Sequence, residues 1–589
     1  MCGIAGIIYK NPGARVEQVL LDRLANRLKH RGPDDVGFHL SGNMGFLNTR
    51  LAIVDRAGGN QPIYSANGKI GIVFNGEIYN YKELKEELKQ KGAIFKTDSD
   101  TEVILRLYEE IGAKAFEQLN GMFAICLWDN RNNQIFLVRD RIGIKPLYIY
   151  EDQDKIIFAS EVKAFIKLDC CSLTLDPLGI QDYLVYRYIQ APLTIFKEVH
   201  KLEPAHIIKI NVAKNAPLKT QTIYYADGYQ SPQNVSTNLG DIKEQLRQIL
   251  TNSVQSQLMG EAPIALLLSG GVDSSIIAYT LKKLNTKMLA FCIGFKEINE
   301  FEYARQVADK FALKLVEVVT SADELFGELD QIIEAIDEPL ADAACFPLFK
   351  MCQSIVGNAK VVLSGEGSDE LFAGYSYYAD LVKRPPPAHV IFDQYLSKLS
   401  YFKDAPEKLF CAPQTIPPQH LRTLKHFQPA PSLLEAMLNF DQKTWLPENL
   451  MMKADKILMR FGLEGRFPFL DLNLWQFAKS LPDNLKIKDN QQTKYLLKES
   501  FREPLPPDVM QRSKMGFSVP IGDFLKKASS IFNALLNLPI GSTKLDQYLS
   551  RSQASHIFNL STMPNNTREQ RWQAWSLFVL YYWCYKHKL

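Results

Sequence analysis

The sequence predicts two folded units of different class: an α+β sandwich over residues 2–212, and an α/β unit with a parallel sheet and helical additions over residues 241–589. Three observations carry this. Short β-rich runs and amphipathic helices are mixed in the first part without regular alternation. From Ile264 onward strands alternate with helices, the pattern of a parallel sheet. Between the two, the chain turns polar, with Lys214, Asn215, Pro217, Ser231, Pro232 and Asn238 and little helical period, so residues 213–240 read as a linker.

In the first unit, helical periodicity covers 16–30, 81–91 and 101–111. Strand-like runs cover 4–9, 69–74, 122–128 and 134–139, with a hairpin turn at 129–133. The second unit opens with a helical pattern at 241–258 and an apolar strand at 264–268. A glycine turn and a helix with Ile276, Ile277 and Leu281 on one side follow. Strands at 288–294, 314–319 and 360–363 then alternate with helices at 301–313, 322–336 and 346–356. In such sheets ligands collect at the carboxyl ends of the strands. Ser269-Gly270-Gly271 and the string from Ser364 to Glu370 both fall there, which predicts one shared site.

Composition excludes several classes. With 589 residues the chain is too long for one core. The hydrophobic fraction of 46% and net charge of +3 give no argument for nucleic acid or a membrane as partner. The start MCGIAGIIYK lacks the features of an export signal, and the apolar run 575–585 is too short to span a bilayer. Nine cysteines with no C-x-x-C pair indicate neither a disulfide framework nor a zinc site, and the vicinal Cys170-Cys171 is read as core thiols. A reducing, cytoplasmic setting is expected.

Cys2 stands apart. If Met1 is removed, it carries a thiol of pKa about 8.5 beside a free amine of about 7.7–8.0, a base that activates the nucleophile without a histidine. Alone, a cysteine at position two says little. It is followed, in order, by HRGPDD from His30, RLAIVD from Arg50, NGEIYNY from Asn75, SDTEVIL from Ser99, LNGMFAICLWD and RDRIGIKPLY. On these strings the first unit resembles the class II glutamine amidotransferases, which release ammonia from glutamine. The resemblance implies an N-terminal-nucleophile αββα sandwich with Cys2 as nucleophile, and an oxyanion hole from the Asn75 side chain and the Gly76 N–H. It also implies Arg50 for the glutamine carboxylate, Asp100 with Glu77 for its ammonium, and the backbone of Ile53 and Val54 against the substrate. Outside that setting, Arg50 would be a surface ion pair and Asp100 a helix N-cap.

At the second site, backbone N–H groups of a glycine turn beside a helix N-terminus suit a polyphosphate. The Lys-Ser/Thr ending of a P-loop is missing. SGGVDSS resembles the pyrophosphate-grip loop of ATP pyrophosphatases, and LSGEGSDELFAGY from Leu363 resembles the second signature of asparagine synthetases. Over nearly its full length the chain resembles the glutamine-hydrolysing asparagine synthetase family. That implies ATP bound by Leu268, Ser269, Gly270, Gly271, Asp273, Ser274, Ile293, Ser364 and Gly365. It further implies Mg²⁺ on Asp273 and Asp369, Glu366 as base, and Lys494 as the cation for the adenylate and pyrophosphate. A lone lysine otherwise reads as a solvated helix face.

The implied reaction amidates the β-carboxylate of aspartate with ammonia passed along a sheltered interdomain path. Glutamine, aspartate and ATP are the implied small-molecule partners, and a homodimer is compatible. KADKILMRFGLEGRFPFLD, from Lys453, matches the family's stretch near the domain contact. Ala343-Ala344, Gly465, Phe467 and the proline- and aromatic-rich 383–447 depart from the family pattern, where acceptor recognition could differ. The alternatives are amidation of another carboxylate and a non-catalytic scaffold. Cys2 argues against relatives that close a ring without ammonia.

Overall fold

Cys2 leads directly into a central strand of a six-stranded antiparallel sheet. Its order is Val199–Lys201, Tyr148–Glu151, Lys155–Ala159, Gly3–Tyr9, Met44–Arg50, Asp35–Ser41. A second antiparallel sheet runs Lys219–Tyr224, His206–Asn211, Gln134–Arg139, Gly121–Asp129, Ile70–Ile78, Ile63–Tyr64. The computed structural model describes residues 2–212, 219–225, 238–402, 409–411, 419–427, 430–512 and 519–589.

Side-chain alternation along the strands stacks these sheets. Ile4 and Ile8 point to one side of their strand and meet Val73, Ala124, Cys126 and Trp128 of the other sheet. Ala5 and Ile7 point to the opposite side, into a cluster with Leu21, Leu24 and Leu28 of the helix Gln18–Leu28. In the second sheet Ile72, Phe74 and Ile78 pack with Leu84, Leu88, Val103 and Leu107 of the helices Tyr81–Gln90 and Asp100–Ile111. The layers are therefore helix, sheet, sheet, helix. The strand Lys219–Tyr224 falls inside the stretch read as a linker and extends the second sheet. Residues 213–218 and 226–237 of that stretch lie outside the described residues.

The second unit holds a five-stranded, all-parallel sheet in the order Lys314–Thr320, Leu289–Phe295, Ile264–Leu267, Val361–Leu363, Glu464–Arg466. Four of these strands match the sequence reading, while the three-residue Glu464–Arg466 gave no periodic signal. Leu266, Ala290 and Cys292 face a cluster with the helices Leu239–Ser256, Val272–Lys283 and Phe301–Phe311. Ala265, Phe291 and Val362 face the opposite cluster, with the helices Leu329–Ile336, Cys345–Ile355 and Met452–Arg460. Helix Ser376–Lys383 stops just before Pro385-Pro386-Pro387, which cannot continue it. Among the described residues no helix is long and apolar enough to cross a membrane.

Candidate active site

Cys2 is held at the entrance to its strand and is almost fully buried. Its N–H donates to Asn75 Oδ1 at 3.0 Å, and Arg31 Nε donates to its carbonyl at 3.1 Å. Burial pushes the thiol pKa up, while the amino-terminal charge, the Leu51 N–H, Asn48 and Arg50 pull it down. With Oδ1 engaged, Asn75 Nδ2 is buried without a hydrogen-bond partner among the described residues. An unmatched buried donor costs about 1–3 kcal/mol, and here it suits an oxyanion.

Gly76 continues the strand, and a Cβ on it would lie 2.0 Å from Met122 O. Gly76→Ala is expected to lower glutamine hydrolysis about 100-fold and stability by about 1–3 kcal/mol, read by ammonia release and thermal unfolding.

The other residues expected to bind glutamine gather around this strand. Asp100 is the first residue of its helix, not the cap; Ser99 is the N-cap. Asp100 Oδ2 accepts the Ile78 N–H at 3.0 Å. Burial raises the Asp100 carboxyl to about 6 despite that bond. Glu77 is raised as well, by burial first and then by Glu464 and Asp100, and its Oε2 has no hydrogen-bond partner among the described residues. Arg50 is no surface ion pair: it is buried and donates to the Asp55 carbonyl at 2.6 Å, the Arg56 carbonyl at 3.1 Å and Asn60 Oδ1. These bonds fix the loop that carries Ile53 and Val54. Ile53 in turn accepts the Glu261 N–H of the second unit at 3.0 Å and packs with Ala262 and Val361.

The second site forms where two neighbouring parallel strands end. Ser269 Oγ accepts the Gly271 N–H at 3.2 Å and lies 3.3 Å from Ser274 Oγ, tightening the turn before the helix. Leu268 directly follows its strand and Ile293 lies on the adjacent one, with their side chains in clusters on opposite faces of the sheet. The Ser364 N–H is bound by the Arg466 carbonyl at 3.0 Å, and a Cβ on Gly365 would lie 3.0 Å from the Asp273 Cβ, so the two loops touch.

Lys494 closes the site. Its Nζ lies 2.7 Å from both Asp273 oxygens and 2.8 Å from Asp369 Oδ1, while Ser368 Oγ donates to Asp273 at 2.7 Å. It is buried and precedes its helix in a left-handed conformation, φ +53°, so the solvated-helix-face reading fails. Among the described residues no group of three or more His, Cys, Asp or Glu could hold a metal. Two carboxylates at a phosphate turn nonetheless fit Mg²⁺, which typically takes one or two carboxylates plus substrate oxygens. Burial raises the Glu366 carboxyl, its Oε1 lies 3.7 Å from Lys453 Nζ, and its Oε2 has no hydrogen-bond partner among the described residues.

Sequence reasoning missed the buried charges between the two sites. Helix Met452–Arg460 presents Lys453 to Glu366, while Asp455 holds Arg31 at 2.8 Å, the arginine that binds the Cys2 carbonyl. Lys456 pairs with Asp337 at 2.8 Å and donates to the Ser160 carbonyl at 3.0 Å. Arg466 lies between Glu464, at 2.6 Å, and Glu77, at 3.5 Å. Three of these contacts, Arg31 to Asp455, Lys456 to the Ser160 carbonyl and Arg466 to Glu77, cross between the halves, and removing one partner of a buried pair costs about 3–5 kcal/mol. Arg31, Glu77, Asp455, Lys456, Glu464 and Arg466 fall in quoted strings, but the strings do not say which residues pair. A small cavity between the halves is lined by Tyr148, Tyr188, Ile189, Ile336, Leu340, Met452 and several charged groups.

Gly465 and Phe467 concern packing. A Cβ on Gly465 would lie 2.9 Å from the Phe467 ring and 2.7 Å from Leu458, so the larger ring takes the space that the glycine leaves. Ala343 is buried beside Asp342, whose Oδ1 accepts the Ala344 N–H at 3.0 Å.

Comparison with known proteins agrees with this layout. The asparagine synthase family model matches residues 245–584, and the glutamine amidotransferase domain model matches residues 1–225. The chain is 30% identical to asparagine synthetase [glutamine-hydrolyzing] 1 of Bacillus subtilis (strain 168), with 99% of this chain and 96% of that protein covered. It is 31% identical to a putative asparagine synthetase [glutamine-hydrolyzing] of Mycobacterium tuberculosis (strain ATCC 25618 / H37Rv), covering 99% and 97%. An Arabidopsis thaliana asparagine synthetase [glutamine-hydrolyzing] 2 is 30% identical, covering 89% and 79%. On these matches and this layout, the chain belongs to the asparagine synthase family and carries an amino-terminal glutamine amidotransferase domain.

Proposed function

We propose that the protein makes asparagine from aspartate, ATP and glutamine. The observation that carries this reading is the helix Met452–Arg460, which reaches Glu366 at one site through Lys453 and the Cys2 carbonyl at the other through Asp455 and Arg31. The glutaminase unit runs from Cys2 through the strand Lys219–Tyr224, and the synthetase unit from the helix Leu239–Ser256 onward.

Once Met1 is removed, the Cys2 amine takes the thiol proton and the sulfur adds to the side-chain amide carbon of glutamine. Asn75 Nδ2 and the Gly76 N–H receive the oxyanion. Ammonia leaves with the proton, and water hydrolyses the thioester to glutamate. At the second site a carboxylate oxygen of the acceptor attacks the α-phosphorus of ATP and pyrophosphate leaves. Ammonia attacks the acyl carbon, AMP departs, and Glu366 takes the surplus proton. Asp273 and Asp369 would hold Mg²⁺, which neutralises phosphate charge. Lys494 adds a fixed cation there. A sheltered route for ammonia between the two sites, the homodimer and the cytoplasmic setting belong to the same proposal.

The test is one incubation of Met1-processed protein with glutamine, Mg-ATP and aspartate. Equal amounts of asparagine, AMP and pyrophosphate support the reading; glutamate alone rejects aspartate as acceptor.

A pH dependence follows from Asp100, which must be ionised to hold glutamine's ammonium. Below about 6 it takes up a proton, so kcat/KM for glutamine hydrolysis falls about tenfold per pH unit. Asp100→Asn is expected to be slow throughout and to lack this limb in a pH–rate profile.

A further inference from the structure

Arg187 ends the helix Pro177–Tyr186 in a left-handed conformation, φ +71°. Its carbonyl accepts the Ala341 N–H at 2.9 Å, which sets it against the residue before Asp342. The guanidinium lies over three rings, 4.9 Å from the Trp572 centroid, 5.1 Å from Tyr401 and 5.6 Å from Trp445. Among the described residues its Nε is buried without a hydrogen-bond partner. An arginine oriented by aromatic faces, with one buried N–H unmatched, suits a carboxylate that arrives with substrate.

From Arg187 a row of polar groups runs to Glu366. Trp445, Asn449 and Lys453 recur every fourth residue along one continuous helical stretch, whose part Leu446–Met451 is a π-helix, a rare form frequent at functional sites. Asn449 Nδ2 donates to Asp342 Oδ2 at 3.2 Å, and Lys453 Nζ lies 3.1 Å from the same oxygen and 3.7 Å from Glu366. Arg187, Asp342, Lys453 and Glu366 sum to zero formal charge, so a zwitterionic main chain joins them without net repulsion.

We propose that Arg187 and Asp342 form the acceptor subsite for an α-amino acid. Arg187 receives the α-carboxylate and Asp342 the α-ammonium, which turns the side-chain carboxylate toward Glu366 and the nucleotide turn. As the ammonium takes Asp342, Lys453 is released to Glu366. A carboxylate on a peptide side chain or a polysaccharide brings no such free pair, so the subsite selects an acidic amino acid. This rests on the reading of the second site as acyl-adenylate-forming.

The experiment measures AMP release with Mg-ATP and ammonium, using aspartate or its α-amide, which keeps the ammonium and β-carboxylate but loses the α-carboxylate charge. The unaltered protein is expected to favour aspartate by about 30-fold in kcat/KM. Arg187→Gln raises the KM for aspartate about 10–100-fold, abolishes that preference, and leaves the KM for ATP and glutamine hydrolysis within about twofold. Arg187→Lys recovers part of the preference. An unchanged KM, or a preference retained in Arg187→Gln, overturns the subsite. If that variant also loses glutamine hydrolysis it has misfolded, and Arg187→Lys decides on the same two acceptors. Unaltered protein that releases no AMP with aspartate overturns the parent reading, and the subsite with it.

Discussion

Cys2→Ala is expected to lower glutamine-dependent asparagine synthesis by about three orders of magnitude or more, while ammonium-dependent synthesis stays within about twofold. The thioester needs the sulfur. The change removes one buried atom and leaves the backbone contacts in place: the Cys2 N–H still reaches Asn75 and its carbonyl still accepts from Arg31. Arg31 therefore keeps its hold on Asp455, and the helix that presents Lys453 to Glu366 is undisturbed. Asparagine is assayed with each nitrogen donor, and intact mass confirms loss of Met1. Glutamine-dependent synthesis that survives, or ammonium-dependent synthesis that disappears, would each contradict this division of labour.

Legibility in the sequence followed the range of the interactions. Apolar period and alternation are local, so the strands Ile264–Leu267, Leu289–Phe295 and Val361–Leu363 could be read directly, and the ligand-bearing turns with them. The hairpin Asp35–Ser41 to Met44–Arg50 could not, because its outer strand is half exposed and carries Gly, His and Ser. The reading of 69–74 stopped short of Asn75 and Gly76, residues that locally favour a turn. Pairing with Gly121–Asp129 carries that strand on to Ile78, which is what places the oxyanion donors. The buried charge pairs left no local trace: Arg31 finds Asp455 across 424 positions, joining the halves, and Lys494 finds Asp273 across 221 within the second unit. Resemblance supplied Lys494. Resemblance placed the string that holds Asp455 and Lys456 near the domain contact, but nothing in the sequence supplied their partners or the Arg187 stack, which come from distant elements.

Lys494→Met is expected to lower ammonium-dependent AMP formation about 10³-fold or more while leaving glutamine hydrolysis within about twofold. One buried cation here serves two carboxylates, Asp273 and Asp369, at 2.7 and 2.8 Å. Those are the carboxylates that would hold Mg²⁺ in the proposed reaction, and Lys494 would then be free to meet phosphate oxygens. Methionine fills the volume but leaves two carboxylates facing each other without a counter-charge. Both are partly solvated, with side chains 21% and 14% exposed, which limits the expected loss of stability to about 2–3 kcal/mol. In the unaltered protein the Lys494 pKa is raised by the same two carboxylates, so its contribution is fully present below the ordinary lysine range and shows no loss near neutrality. Lys494→Arg keeps the charge but brings a planar fork into a space built for a point donor, and is expected to recover stability more than rate. Thermal unfolding at two pH values together with pyrophosphate release separates the two roles. A Met variant that unfolds like the parent and still forms AMP would remove Lys494 from the chemistry.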